Sequence, residues 1–211
     1  MPDLSLADFP PIFLRVFALL FGLVWGSFLN VAVHRLPRDM SLARPASHCP
    51  ACGAPIPFHR NIPVISWLWQ RGRAACCGAK VSPRYLVVEL AGGVASWAIL
   101  EALVLPLPAA TPAVHALAIY VANLALALGL IAATFIDLEH MLVPDAISLG
   151  GTVLGLGTFA LRDMDLLDSV LGGAVGFAVV WLPFVVGYGK LRGRPGMGLG
   201  TEWTPTLLSR L

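Results

Sequence analysis

A run of apolar residues from Ala113 to Ile136 ends in a carboxylate, Asp137, and a new apolar run begins just past Pro144 and Asp145. No other stretch restricts the fold as much. The first run holds no Asp, Glu, Lys or Arg, and it matches the ~20 apolar residues a helix needs to cross a bilayer. An acid at the mouth of such a helix is costly to keep, so it marks a functional site by default and its partner has to be sought. The plainer alternative is a boundary residue solvated at the membrane surface.

Four further runs have the same character: Pro11–Val33, Tyr85–Leu105 with Glu89 and Glu101 inside it, a short Gly-rich Ala146–Leu161, and Ser169–Gly189. Only 12% of the 211 residues are charged and 57% are hydrophobic, whereas soluble domains run about 25% charged. The expectation is an all-α polytopic membrane protein of about five transmembrane helices with a small cysteine-containing cytoplasmic loop domain. The net charge of +2 gives no bulk electrostatic case for a nucleic-acid partner; the partner that composition demands is the lipid bilayer. Residues 1–11 carry Asp3 and Asp8 and no basic residue, so the first run reads as a retained helix rather than a cleaved signal. Gly22 with Gly26, and Gly172 with Gly176, have the small-xxx-small spacing that lets helices approach closely; both are packing signals.

Basic residues set the expected orientation. Arg35, Arg38, Arg44, Arg60, Arg71, Arg73, Lys80 and Arg84 lie between the first two runs, and Lys190, Arg192 and Arg194 follow the fifth. The connection between the second and third runs has none. The N-terminus is therefore expected outside. The loop of residues 34–84, the end of the third run with Asp137, and the segment after Lys190 are expected at the cytoplasmic face.

That loop holds all four cysteines, Cys49 and Cys52 in Cys-Pro-Ala-Cys-Gly and Cys76 and Cys77 in Cys-Cys-Gly. The spacing predicts a zinc ribbon, in which four thiolates close a tetrahedron and glycine turns the chain behind each pair. In a reducing compartment metal is favoured over disulfide. The second pair is irregular, because a regular knuckle would have cysteine at position 74, where alanine stands. Adjacent cysteines are expected to reach one metal only with a strained backbone, with His48 or His59 as substitute ligands. The alternative is a metal-free loop that packs Trp67 and Trp69 on the membrane surface.

Asp145, after Pro144, is expected at the N-cap of the fourth run, where a carboxylate meets free amides and the positive helix end. Glu139 and His140 are expected in a loop, His140 being placed to tune Asp137. Two carboxylates sharing a water can hydrolyse a peptide bond: one activates the water, and the other, kept protonated by its neighbour, polarises the carbonyl. The other cytoplasmic segment, Arg194 to Glu202, offers the turn Gly198-Leu199-Gly200 but then Thr201 rather than an acid.

With these residues in view the chain resembles the bacterial type IV prepilin peptidases, polytopic aspartic proteases that also N-methylate their products. The resemblance runs in order through Gly26-Ser27-Phe28-Leu29-Asn30, His34-Arg35-Leu36-Pro37, Cys49 to Gly53, Asn61-Ile62-Pro63, Ser82-Pro83-Arg84-Tyr85, Glu89-Leu90, Ile136-Asp137, Pro144-Asp145 and Gly196 to Gly200. It implies segments 1–33 (first transmembrane helix), 34–84 (cysteine loop domain), 85–200 (transmembrane peptidase core) and an aberrant tail, 201–211. It implies Asp137 as the first catalytic aspartate, Gly198 and Gly200 as the substrate loop, Pro144 and Asp145 as supporting residues, and a second aspartate at the position of Thr201. It further implies leader removal from prepilins and pseudopilins of type IV pilus and type II secretion systems at the inner membrane, and S-adenosylmethionine as methyl donor. The tail departs from the family pattern, as a C-terminal truncation or frameshift after Gly200 would make it, and Glu202 lies one position off. The expectation is therefore a chain of peptidase lineage that is inactive or impaired. The alternative is a non-catalytic membrane scaffold or pseudoenzyme holding prepilins or secretion components.

Overall fold

The computed structural model describes residues 4–44, 47–49, 51–162 and 165–182. Among them there is no strand, only three isolated bridges, and the apolar runs are helices. Helix α1 (Pro11–Arg35) starts with proline at its first position, where the missing N–H costs nothing. A five-residue helix, α2 (Ile65–Trp69), sits in the connection to α3 (Arg84–Ile99), which continues as a π turn from Leu100 to Val104. Helices α4 (Ala113–His140) and α5 (Asp145–Gly157) complete this unit. Helix α6 (Leu166–Leu182) belongs to a separate unit that begins at Asp163.

Among the described residues, three helical stretches are long and apolar enough to span a membrane: Pro11–Arg38, Arg84–Val104 and Ala113–His140. The expected fourth span is a shorter helix, and of the expected fifth only residues 169–182 are described, within α6, the rest lying outside the described residues. Helix α5, with 13 residues, reaches only about 20 Å at 1.5 Å per residue, short of a ~30 Å hydrocarbon core.

Helices α1, α3 and α4 pack around Val33, Val88, Leu124, Leu128 and Ile136. Glycine sets the distance between α1 and α3. A Cβ at Gly22 would lie 2.4 Å from the Ser96 side chain, and one at Gly26 would lie 2.8 Å from the Glu89 backbone. Among the described residues a Cβ at Gly172 or Gly176 would meet nothing within 4 Å, so the packed face seen there is that of the first small-xxx-small pair. Beside it, fully buried Ser96 donates to the Ala18 carbonyl at 2.5 Å and shares a 2.5 Å hydrogen bond with Tyr120.

The two ends of this bundle differ. At one, Leu6 and Ala7 amides bond the Thr111 and Ala109 carbonyls, and Arg15 of α1 grips Glu101 of the π turn at 2.5 and 3.2 Å. At the other, the long α1–α3 connection meets the C-terminal turn of α4.

Candidate metal centre and catalytic turn

Two matching turns carry the cysteines. In the first, the Gly53 amide donates to the Cys49 carbonyl at 2.8 Å, and the Cys49 amide donates to Ala54 at 2.8 Å. In the second, the Gly78 amide donates to the Ala74 carbonyl at 2.7 Å, and the Ala74 amide donates to Ala79 at 2.8 Å. Gly53 and Gly78 both have φ +71°, a conformation that glycine adopts at no steric cost. Ala74 therefore occupies the place of Cys49, and Cys77 that of Cys52.

The fourth sulfur comes from Cys76 instead. The Sγ atoms of Cys52 and Cys76 are 3.4 Å apart, those of Cys49 and Cys77 3.8 Å, those of Cys76 and Cys77 3.9 Å, and all four lie within 4.8 Å of one another. A tetrahedron with Zn–S bonds of about 2.3 Å has edges of about 3.8 Å. Neither Cys76 nor Cys77 has a positive φ, so the strain expected of adjacent cysteines is absent. The cluster is four sulfurs without His48 or His59. Amides of Ala51 and Cys52 hold the Cys49 thiol down at about 6, and hydrogen bonding to Cys52 and Cys49 pushes Cys76 up to about 12. One thiolate is thus favoured and further ionisation is opposed until a cation arrives. The donor set can hold a tetrahedral metal ion.

The loop is tied to the bundle from several directions. Arg35 donates to the Ser41 and Leu42 carbonyls at 2.9 and 3.3 Å. Buried Glu89 of α3 accepts the Val64 amide at 2.7 Å, holding Val64, at φ +64°, as the residue before α2. Trp67 turns inward, its indole donating to the Val81 carbonyl at 3.4 Å and packing over Gly72, while Trp69 stays 87% exposed. The alternative, in which both tryptophans pack on the membrane surface, is therefore not met by Trp67.

Asp137 lies exposed in the last turn of α4. Its carbonyl accepts the Met141 amide at 2.8 Å, and Met141, at φ 55°, ends the helix in the left-handed conformation. Glu139 and His140 are in the helix, not in a loop. Glu139 forms an ion pair with Arg84 at the start of α3, and Arg38 lies 3.4 Å from the Nε2 atom of His140 while donating to the His34 carbonyl at 2.6 Å. Arg84 also covers the Tyr85 ring, 5.3 Å from its centroid. Sequence reasoning missed these partners; the only signal was the crowding of arginines at both ends of the cysteine loop.

Asp145 is the first residue of α5, with Pro144 preceding it, and no side-chain cap hydrogen bond forms. The expected N-cap is displaced by one residue, since Pro144 has the extended backbone of the cap position (ψ 135°). Asp145 still meets the positive helix end. Gly198, Gly200 and Thr201 lie outside the described residues.

Comparison with known proteins agrees with this arrangement. Residues 20–103 match the Bacterial Peptidase A24 N-terminal domain, and residues 124–202 match the Type IV leader peptidase family. A Klebsiella pneumoniae protein named prepilin leader peptidase/N-methyltransferase is 36% identical over 191 residues, covering 87% of this chain and 78% of its own. The chain belongs to the type IV prepilin leader peptidase family. An Aeromonas hydrophila protein of the same name is 37% identical, covering 86% of this chain and 67% of its own length. One from Myxococcus xanthus is 35% identical over 95% of this chain, which spans only 56% of that relative's length. No solved structure matches. Within the prepilin leader peptidase family match, the first domain takes in most of α1, the cysteine loop and all of α3, and the second takes in most of α4 with Asp137.

Proposed function

We propose that this chain is a membrane aspartic endopeptidase by lineage, in which Asp137 supplies one of two carboxylates that remove the leader of type IV prepilins and pseudopilins at the cytoplasmic face. The observation that carries this reading is the last turn of α4. It presents an exposed acid and is fastened through Glu139 and His140 to the ends of the cysteine loop, in a chain whose relatives bear the peptidase name.

The chemistry requires two acids. One carboxylate accepts a proton from the attacking water, while its protonated partner donates a hydrogen bond to the scissile carbonyl. Gly198 and Gly200 are assigned to the loop that admits the substrate backbone, and Pro144 and Asp145 to the support of the Asp137 turn. Thr201 stands where the second aspartate is expected, and a hydroxyl near neutral pH cannot replace a carboxyl group as acid or base. This chain alone therefore holds prepilins and cleaves them poorly or not at all. Thr201 is also the observation favouring the second reading, a non-catalytic membrane scaffold.

Residues 34–84 are proposed as a zinc-holding domain, with Cys49, Cys52, Cys76 and Cys77 as ligands, and residues 85–200 as the transmembrane core. The relatives' N-methyltransferase name supports S-adenosylmethionine as a second substrate. In a bacterial inner membrane the amino terminus lies outside.

Co-expression with a prepilin separates the two readings. Slow leader loss abolished by Asp137→Asn supports a residual peptidase. Co-purification of uncut prepilin supports the scaffold. Cleavage that survives Asp137→Asn removes Asp137 from the chemistry.

A further inference from the structure

Helix α2 is inverted for a helix in a water-facing loop. Its inward side carries Trp67, whose indole donates to the Val81 carbonyl at 3.4 Å. Its outward side carries Ile65, Leu68 and Trp69, which are 58%, 56% and 87% exposed. Residues at i, i+3 and i+4 share one face of a helix, so these three make a single apolar stripe. Ile62 extends it. The Ile62 amide donates to the Ser66 hydroxyl at 2.9 Å, which folds this residue back against α2, and its side chain is exposed as well. Exposed cations border the stripe, Arg60 before it and Arg71 and Arg73 after it. An apolar face with tryptophan, bordered by arginine, is the pattern of a helix lying in a membrane interface.

The height of α2 along the bundle indicates what covers this stripe. The Val64 amide, immediately before α2, donates to the Glu89 carboxylate at 2.7 Å. Glu89 lies five residues past Arg84, where the apolar stretch Arg84–Val104 begins. At 1.5 Å per residue that is about 7.5 Å along α3. An interfacial helix buries its apolar face about 5–10 Å into the boundary between headgroups and acyl chains. If α3 crosses the bilayer, the clamp holds the start of α2 at the depth where lipid meets its outward side.

We propose that α2 is an interfacial anchor. Ile62, Ile65, Leu68 and Trp69 are embedded among phospholipid acyl chains just beneath the headgroups, and Arg60, Arg71 and Arg73 face lipid phosphates. The proposal rests on a membrane-spanning α3 and is independent of the peptidase reading. The anchor also gives the cysteine turns a fixed standing on the bilayer. Gln70, which follows α2, accepts the Ala75 amide at 3.2 Å, so the anchored helix is tied to the turn that carries Cys76 and Cys77.

The test labels the full chain with fluorotryptophan and places it in nanodiscs of phosphatidylcholine with phosphatidylglycerol. The Trp69 resonance is assigned by its loss in Trp69→Phe. A nitroxide high on the lipid acyl chain is expected to broaden it beyond detection, and a water-soluble gadolinium chelate is expected to leave it unchanged. Broadening by the chelate alone means that the stripe faces water, and overturns the anchor. Protection from both means that protein, such as a second copy of this chain, covers the stripe, and overturns it equally. Ile65→Glu combined with Leu68→Glu puts two carboxylates into the stripe and should reverse the pattern, exposing Trp69 to the chelate. Both altered side chains are exposed, and an unchanged Trp67 resonance shows that the loop is still folded. A folded double variant that still hides Trp69 from the chelate counts against the anchor; should that variant misfold, the wild-type measurement decides by itself.

Discussion

At the residue scale, the cysteine centre turns on one substitution. Ala74 has the same pair of hydrogen bonds around it as Cys49, and Cys76 supplies the sulfur that Ala74 lacks. Cys76→Ser is therefore expected to cut zinc affinity by more than the roughly 10–100-fold that an outer-shell partner is worth, measured by competition with a chelator. Adding Ala74→Cys to that variant should restore retention, since it rebuilds a regular knuckle with Cys77. If the double variant binds no better than Cys76→Ser alone, the two turns are not equivalent. The ionisation pattern also fixes a sign. Zinc must displace protons from thiols such as Cys76, held up at about 12, so affinity rises with pH and metal is lost first on the acid side. At the bundle's narrowest point, Gly22→Leu should destabilise the protein by about 2 kcal/mol by overpacking, because its side chain would meet Ser96 and the Gly92 carbonyl. A shortfall in thermal stability measured in detergent checks this; no change would mean that α1 and α3 separate freely.

At the element scale, the last turn of α4 depends on partners far away in sequence. Arg84→Met removes the Glu139 contact, which should loosen the turn by about 1 kcal/mol and speed exchange of the Met141 amide about fivefold. That amide bonds the Asp137 carbonyl, so its rate reports directly on the turn carrying the acid; an unchanged rate would show that α4 holds itself. The helices themselves were legible in sequence because uninterrupted apolar runs leave few alternatives in lipid, and the three long spans follow those runs closely. Their lengths were less legible where the runs are short. Ala146–Leu161 reads as a span, yet the helix there stops at Gly157 and begins with Asp145 inside it. The candidate site was legible as residue types: four cysteines with ribbon spacing and an acid at a helix mouth. Its wiring was not. That Glu89 would clamp Val64, or Arg84 reach Glu139, depends on how closely α1, α3 and α4 approach, and that distance is set by glycines whose partners no local pattern names.

At the scale of the whole molecule, the loops at the two ends of the first unit differ in their basic residues. One joins residues 4–9 to residues 105–113 with no Lys or Arg in either stretch. The other gathers Arg35, Arg38, Arg84 and the cysteine loop around the turn that bears Asp137. The cysteine cluster and the acid lie at the same end of this unit, and because cations are retained on the cytoplasmic side of a membrane, the arginines there are the ground for the proposal that this end faces the cytoplasm. Cysteine labelling tests both halves. Cys52, Cys76 and Cys77 are exposed in the folded chain, so in zinc-depleted cells with an intact inner membrane a membrane-impermeant maleimide should leave them unmodified until the membrane is permeabilised. A cysteine added by Ala110→Cys, in the cation-free connection, should label from outside without permeabilisation. Labelling of the native cysteines from outside would invert the topology, and with it remove Asp137 from the compartment where a prepilin leader is proposed to be cut. Labelling of both sets from one side would count against a membrane-spanning α3, because the connection and the cysteine loop lie at its two ends, and a helix that crosses a ~30 Å hydrocarbon core places its ends on opposite sides.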